Sequence, residues 1–123
     1  MPSAEDITAV VNRYISLVNS GTADDLVELY ADDATVEDPV GTGVHIGRQA
    51  IHGFYSAMEA VQRQCELVTL RVAGHEAAFH FKLTITAGDS KMLIEPIDVM
   101  AFNGEGKISA MKAYWSQDSV TQL

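Results

Sequence analysis

From Ala77 to Ile85 the odd positions Ala77, Phe79, Phe81, Leu83 and Ile85 are apolar, while Glu76, His80, Lys82, Thr84 and Thr86 supply a mostly polar opposite face. A period of two is what a half-buried β-strand requires, because successive side chains leave opposite faces of the pleated chain. Gly74 precedes this run, and the Gly88-Asp89-Ser90 turn leads from it into a second strand, from about Lys91 to Phe102. The Asn103-Gly104-Glu105-Gly106 turn leads on to a final strand, from Lys107 to about Trp115. With another strand near residues 64 to 73, the second half of the chain is predicted to be an antiparallel meander of at least four strands.

The first half has the helical period instead. Ser3 and Asp6 form a capping pair, after which Ile7, Val10, Val11, Tyr14, Ile15, Leu17 and Val18 recur at helical spacing. This predicts a helix from about residue 4 to Asn19, stopping near Gly21. Thr22 and Asp25 repeat the cap before a short second helix, with Leu26, Val27, Leu29 and Tyr30 as its apolar stripe. A loop or short strand then carries Ala34 to Pro39. Gly41, Gly43 and Gly47 interrupt regular structure ahead of a third helix, from Arg48 to about Val61, with Ile51, Phe54, Tyr55 and Met58 on its apolar side. Helices followed by a meander make an α+β fold, three N-terminal helices packed on one side of a strongly curved sheet. Such a sheet can close into a cone whose hollow suits an apolar ligand.

Apolar residues make up 47% of the 123 positions and charged residues 20%, enough apolar material for one folded domain over residues 1–123. Seventeen acidic residues against 8 basic ones give a net charge of -9. With no basic run, nucleic acid is excluded as an expected partner, because a phosphate backbone calls for a positive footprint. The single cysteine, Cys65, has no partner for a disulfide and no companions at zinc-ligand spacing. The N-terminal residues lack a basic region followed by an apolar stretch, and no span reaches the length of a membrane helix. A cytoplasmic protein without membrane insertion is the expectation.

Asp98 is the most informative residue, in Leu93-Ile94-Glu95-Pro96-Ile97-Asp98-Val99-Met100. The period of two puts it on one face with Met92, Ile94, Pro96, Met100 and Phe102, where an ionised carboxylate is costly unless paired and a protonated one is a hydrogen-bond donor. A bulge or a wet seam is the competing reading. Tyr14, Tyr30 and Tyr55 each fall on an apolar stripe, and a buried hydroxyl wants a partner. Each alone is equally an ordinary core tyrosine. Asp38 precedes Pro39, which favours an extended backbone, and it follows Glu37 close to Asp32 and Asp33; a solvated turn has the same composition. His45, His52, His75 and His80 show no metal spacing, and no histidine stands out beside Asp38 or Asp98. Gly41-Thr42-Gly43 is far short of a phosphate loop.

Together these residues carry a resemblance. The sequence resembles the bacterial Δ5-3-ketosteroid isomerases, within the wider family whose fold is named after nuclear transport factor 2 and which includes the SnoaL-like proteins. The similarity runs through Arg13-Tyr14, Leu29-Tyr30-Ala31-Asp32-Asp33-Ala34-Thr35-Val36-Glu37-Asp38-Pro39, Phe54-Tyr55 and Pro96-Ile97-Asp98. Tyr30 to Ala34 is common across the wider family, whereas Tyr14, Asp38 and Asp98 together are particular to the isomerases. The resemblance implies a cone-shaped fold, a homodimer formed across the sheets, no cofactor or metal, and a 3-ketosteroid in the apolar cone. It implies Asp38 as general base and proton shuttle, and Tyr14 and neutral Asp98 as oxyanion-hole donors. Tyr30 and Tyr55 match a supporting hydrogen-bond network, and Phe54, Met100, Met111 and Trp115 match the substrate pocket, Trp115 beside the catalytic aspartate. The wider family also holds dehydratases, polyketide cyclases, epoxide hydrolases and ligand-binding members, among which fold alone does not choose.

Overall fold

The computed structural model of the chain describes residues 2–123. Helix α1, Ala4–Ser20, starts where the cap predicts: Ser3 Oγ accepts from the Asp6 amide at 3.1 Å, and the Asp6 carboxylate accepts from the Ser3 amide at 3.0 Å. Its stripe of Ile7, Val11, Tyr14, Ile15, Leu17 and Val18 is buried. The helix ends as the Gly21 amide donates to Leu17 O. A Cβ at Gly21 would come within 2.9 Å of that oxygen, so only glycine fits this close return. Helix α2, Ala23–Val27, repeats the capping box with Thr22 and Asp25. It is shorter than its predicted stripe, because Tyr30 opens strand β1, Tyr30–Glu37, rather than closing the helix.

Strand β2, His45–Ile46, pairs antiparallel with β1. Helix α3, Arg48–Ser56, follows a cap at Gly47 with φ 86°, a left-handed conformation that favours glycine, and continues as a 3-10 turn over Ala57–Ala60. Then come β3, Gln62–Ala73; β4, Glu76–Ala87; β5, Ser90–Ile94; β6, Ile97–Phe102; β7, Ile108–Tyr114; and β8, Val120–Gln122. Among the described residues these form one eight-stranded sheet in the order β2-β1-β7-β6-β4-β5-β8, with β3 on the other side of β4. All pairs are antiparallel except β1 with β7.

The expected single strand from Lys91 to Phe102 is two strands, broken at Glu95-Pro96. Proline has no amide to give the ladder, so the chain steps out: Pro96 O accepts from the Phe81 amide and the Glu95 amide donates to Ser119 O. One end of β4 pairs with β6 and the other with β5, which curls the sheet around the helices. The parity survives the break, with Ile94, Pro96, Asp98, Met100 and Phe102 all buried. Side chains of α1, α3, β1, β4, β6 and β7 fill the space between helices and sheet.

Candidate active site

Asp98 projects from the middle of β6, between Phe79 of β4 and Ala113 of β7 in register. Its exposure is 0%, and neither carboxyl oxygen has a hydrogen-bond partner among the described residues. Burial therefore pushes its pKa well above the ordinary carboxylate range. The negative charge of Asp38 adds to the rise, and the nearby Tyr14 hydroxyl opposes it by less, without reaching hydrogen-bonding geometry. Asp98 thus lies in the apolar interior rather than at a wet seam. A neutral carboxylic acid there has a proton to donate.

Tyr14 comes from the inward stripe of α1 and stands edge-on to Phe79 at 6.0 Å between centroids and to Tyr55 at 6.4 Å. The Tyr55 hydroxyl donates to the Tyr14 oxygen at 3.4 Å, and the Tyr30 and Tyr55 hydroxyls are 2.5 Å apart. Running Tyr30 to Tyr55 to Tyr14, the chain of bonds leaves the Tyr14 proton without an acceptor among these three tyrosines. Burial holds the Tyr14 pKa well above its usual value, so it is a hydroxyl and not a phenolate.

Asp38 lies just past β1 and continues the inward parity of Ala34 and Val36, which are both buried. Its Oδ1 accepts from Trp115 Nε1 at 2.7 Å, immediately after β7. Burial raises its pKa, and the Trp115 bond and the positive potential of His45 oppose that rise. Asp38 is half-buried, unlike Asp98. Two carboxyl groups thus face one interior in different surroundings, one fully buried and without a hydrogen-bond partner among the described residues, the other half-buried and hydrogen-bonded.

The remaining sequence candidates divide by depth. Phe54 and Trp115 are partly buried against the core, with Phe54 edge-on to Tyr55 at 5.0 Å. Met100 and Met111 are register partners on β6 and β7, fully buried in the floor of the sheet. His45 corrects the expectation that no histidine lies beside Asp38. It is the Cα partner of Val36, so the β1–β2 pairing puts it on the interior face, against Phe54 at 4.9 Å. A two-residue strand after three glycines gives no periodicity to read, and this neighbour was invisible in the sequence. Cys65, half-buried on β3, has a thiol pushed up to about 12 by burial and by Asp98, which makes it a poor nucleophile at neutral pH. A groove of about 640 Å³ near Gly21, Arg63 and Lys91 is polar and is lined by none of Tyr14, Asp38 or Asp98. Among the described residues no cluster of histidine, cysteine and carboxylate side chains is arranged to hold a metal ion, and no helix is long and apolar enough to cross a membrane.

Residues 11–111 match the model of the SnoaL-like domain. The chain is 46% identical over 112 residues to the steroid Delta-isomerase of Nocardioides simplex, an alignment covering 90% of each protein. It is 25% identical to the epoxide hydrolase LasB of Streptomyces lasalocidi, where the alignment covers 99% of this chain and 51% of that protein. A solved structure of the epoxide hydrolase/cyclase-like enzyme SalBIII, which has a role in pyran ring formation in the polyether salinomycin, superposes with a TM-score of 0.93. Both chains are covered completely, at 26% identity.

Proposed function

The chain belongs to the SnoaL-like domain family, and from that premise we propose that it converts Δ5-3-ketosteroids to Δ4-3-ketosteroids by moving one proton from C4 to C6. The observation that carries this reading is the fully buried, unpaired carboxyl of Asp98 beside the Tyr14 hydroxyl that ends the tyrosine chain. Two proton donors close together in an apolar interior are what a developing oxyanion needs.

Asp38, ionised, is the base. It removes the C4 proton, the C–H pair becomes the C3–C4 π bond, and the carbonyl π pair moves onto the C3 oxygen. Tyr14 and neutral Asp98 donate to that oxygen as its charge grows. The pair then returns from oxygen, C4–C5 becomes the double bond, and the former C5–C6 π pair takes the proton back from Asp38 at C6. One carboxyl group serves both transfers, so the reaction balances without a co-reactant. The Trp115 bond holds one Asp38 oxygen and leaves the other to reach along the steroid face. Tyr30 and Tyr55 orient Tyr14, and Phe54 packs the cleft around the apolar substrate.

The 46% identity to a steroid Delta-isomerase outweighs the 25–26% identities to epoxide-opening enzymes in selecting the reaction. A dehydratase or cyclase working through a histidine–aspartate pair has His45 as its only candidate beside Asp38 among the described residues, yet the hydrogen bond recorded on the Asp38 carboxyl comes from Trp115. The purified protein with a 5-ene-3-ketosteroid tests the reading: growth of conjugated-enone absorbance is expected, and no growth above the uncatalysed rate overturns it. The apolar outer face of the sheet, described below, supports a homodimer as the working form.

A further inference from the structure

Asp38 follows the end of the β1–β2 ladder, on the parity of the face that holds His45. Val36 and His45 are register partners, partners across an antiparallel pair project to one side, and Asp38 is two residues beyond Val36. Asp38 is the first residue past β1 on that parity, and it lies close enough to His45 for the ring's positive potential to act on its carboxyl group. The exposure pattern agrees: Val36 is buried and His45 half-buried, while Ile46 turns outward. Packing against Phe54 of α3 fixes the ring on this interior face.

Other charged groups on the elements packed at this corner are engaged elsewhere or face away. On β1, Asp32 and Asp33 are exposed, and Glu37 has the opposite parity to Asp38 and accepts from the Gly41 amide. On α3, Arg48 pairs with Asp32 and binds Tyr30 O, and His52 pairs with Asp24. On β7, Lys112 is exposed and sits in register with Glu37. Across the interior stand Asp98 of β6 and Tyr14 of α1, with Tyr30 and Tyr55 behind, none of which can be cationic. Among the described residues, His45 is the group on Asp38's face able to carry positive charge.

We infer that His45 is a positioning residue for the reaction: it acts through Asp38, as a cationic neighbour that keeps the carboxylate ionised as the medium turns acidic. The inference rests on the isomerase reading for its kinetic consequence. Burial of Asp38 favours its neutral form, and a neutral Asp38 cannot take a proton. A histidine ring is cationic across the range in which carboxylic acids titrate, so it opposes burial when the base is most at risk.

The test follows the Asp38 carboxyl carbon by NMR titration, assigned by its loss in Asp38→Asn, in the wild type, His45→Gln and His45→Lys. In parallel, kcat/KM for a 5-ene-3-ketosteroid is recorded over the same pH range. The expected result is a higher Asp38 midpoint in His45→Gln and a midpoint near wild type in His45→Lys. In His45→Gln, kcat/KM falls about two- to fivefold at about pH 4.5 and stays within a factor of two at about pH 8. Equal Asp38 midpoints in wild type and His45→Gln overturn the inference, as does an equal loss of kcat/KM at both pH values. Absence of steroid turnover in all three proteins counts instead against the isomerase reading, and the carboxyl titration still decides whether His45 acts on Asp38.

Discussion

Asp98 carries a cost, since among the described residues neither of its buried oxygens has a hydrogen-bond partner. In the unfolded chain it ionises near the ordinary carboxylate value, whereas in the fold burial, then the charge of Asp38, keeps it protonated well above that value. Between the two the folded state binds more protons, so stability falls as pH rises, by about 1.4 kcal/mol per unit. The advantage is fully present below the unfolded value and is lost by the folded one. Asp98→Asn abolishes this titration: its stability relative to wild type climbs as pH is raised from acid toward neutral, read by denaturant unfolding at several pH values. Parallel curves for the two proteins contradict a buried neutral acid. Kinetically, Asn keeps a donor and Ala does not, so Asp98→Ala loses turnover by a further factor of about 10–10³. On the proposed mechanism, Tyr14→Phe is expected to lower kcat more than it weakens ketone binding, because a bond to the oxyanion strengthens as charge moves to oxygen. Both variants within a factor of two of wild type in kcat exclude them as oxyanion donors. Asp98 was legible in the sequence because strand parity alone decides which face it takes; His45 was not, because its place depends on the register of a pair formed across a glycine-rich loop.

The same contrast holds for the elements. Helix α1 could be read nearly to the residue, since a capping box, a continuous stripe and a terminal glycine all agree. That cap stabilises the helix without touching the cleft, so Ser3→Ala is expected to cost about 1 kcal/mol in denaturant unfolding and leave kcat/KM unchanged. A loss of kcat/KM in the fully folded variant shows that the helix end reaches the chemistry after all. Strand β1 was harder. Tyr30 to Asp33 has the composition of a helix end and an acidic turn, and only tertiary pairing makes it extended: the chain lies beside β7, and the Arg48 guanidinium holds Tyr30 O. Strand β8 and the two-residue β2 are too short to show any period, and they exist because β5 and β1 offer them a free edge. The break at Pro96 was visible as a residue but outvoted by the apolar run around it.

At the scale of the molecule, the outward face over β6 and β7 carries exposed apolar side chains beside one exposed charge, Lys112, in register with Val99. Asp98, Met100 and Phe102 face inward, while outward Ile97 is 49% exposed and Tyr114, its register partner, 48%, near half-buried Leu93 and Val99. Val68 on β3 is a further exposed apolar side chain. An apolar patch on a sheet face is a surface for a second copy, and light scattering at micromolar concentration is expected to give twice the 13.3 kDa chain mass. A mass near one chain contradicts the dimer. The inward face supports the central claim, that one carboxylate carries a proton along the substrate. The direct test uses a 5-ene-3-ketosteroid deuterated at C4, incubated with the protein in ordinary water and read by mass spectrometry and NMR. The account predicts a conjugated enone retaining deuterium at C6, with both its formation and the transfer suppressed about 10²–10⁴-fold or more in Asp38→Asn. Enone formed at the wild-type rate by Asp38→Asn, or enone from the wild type with no deuterium at C6, contradicts it.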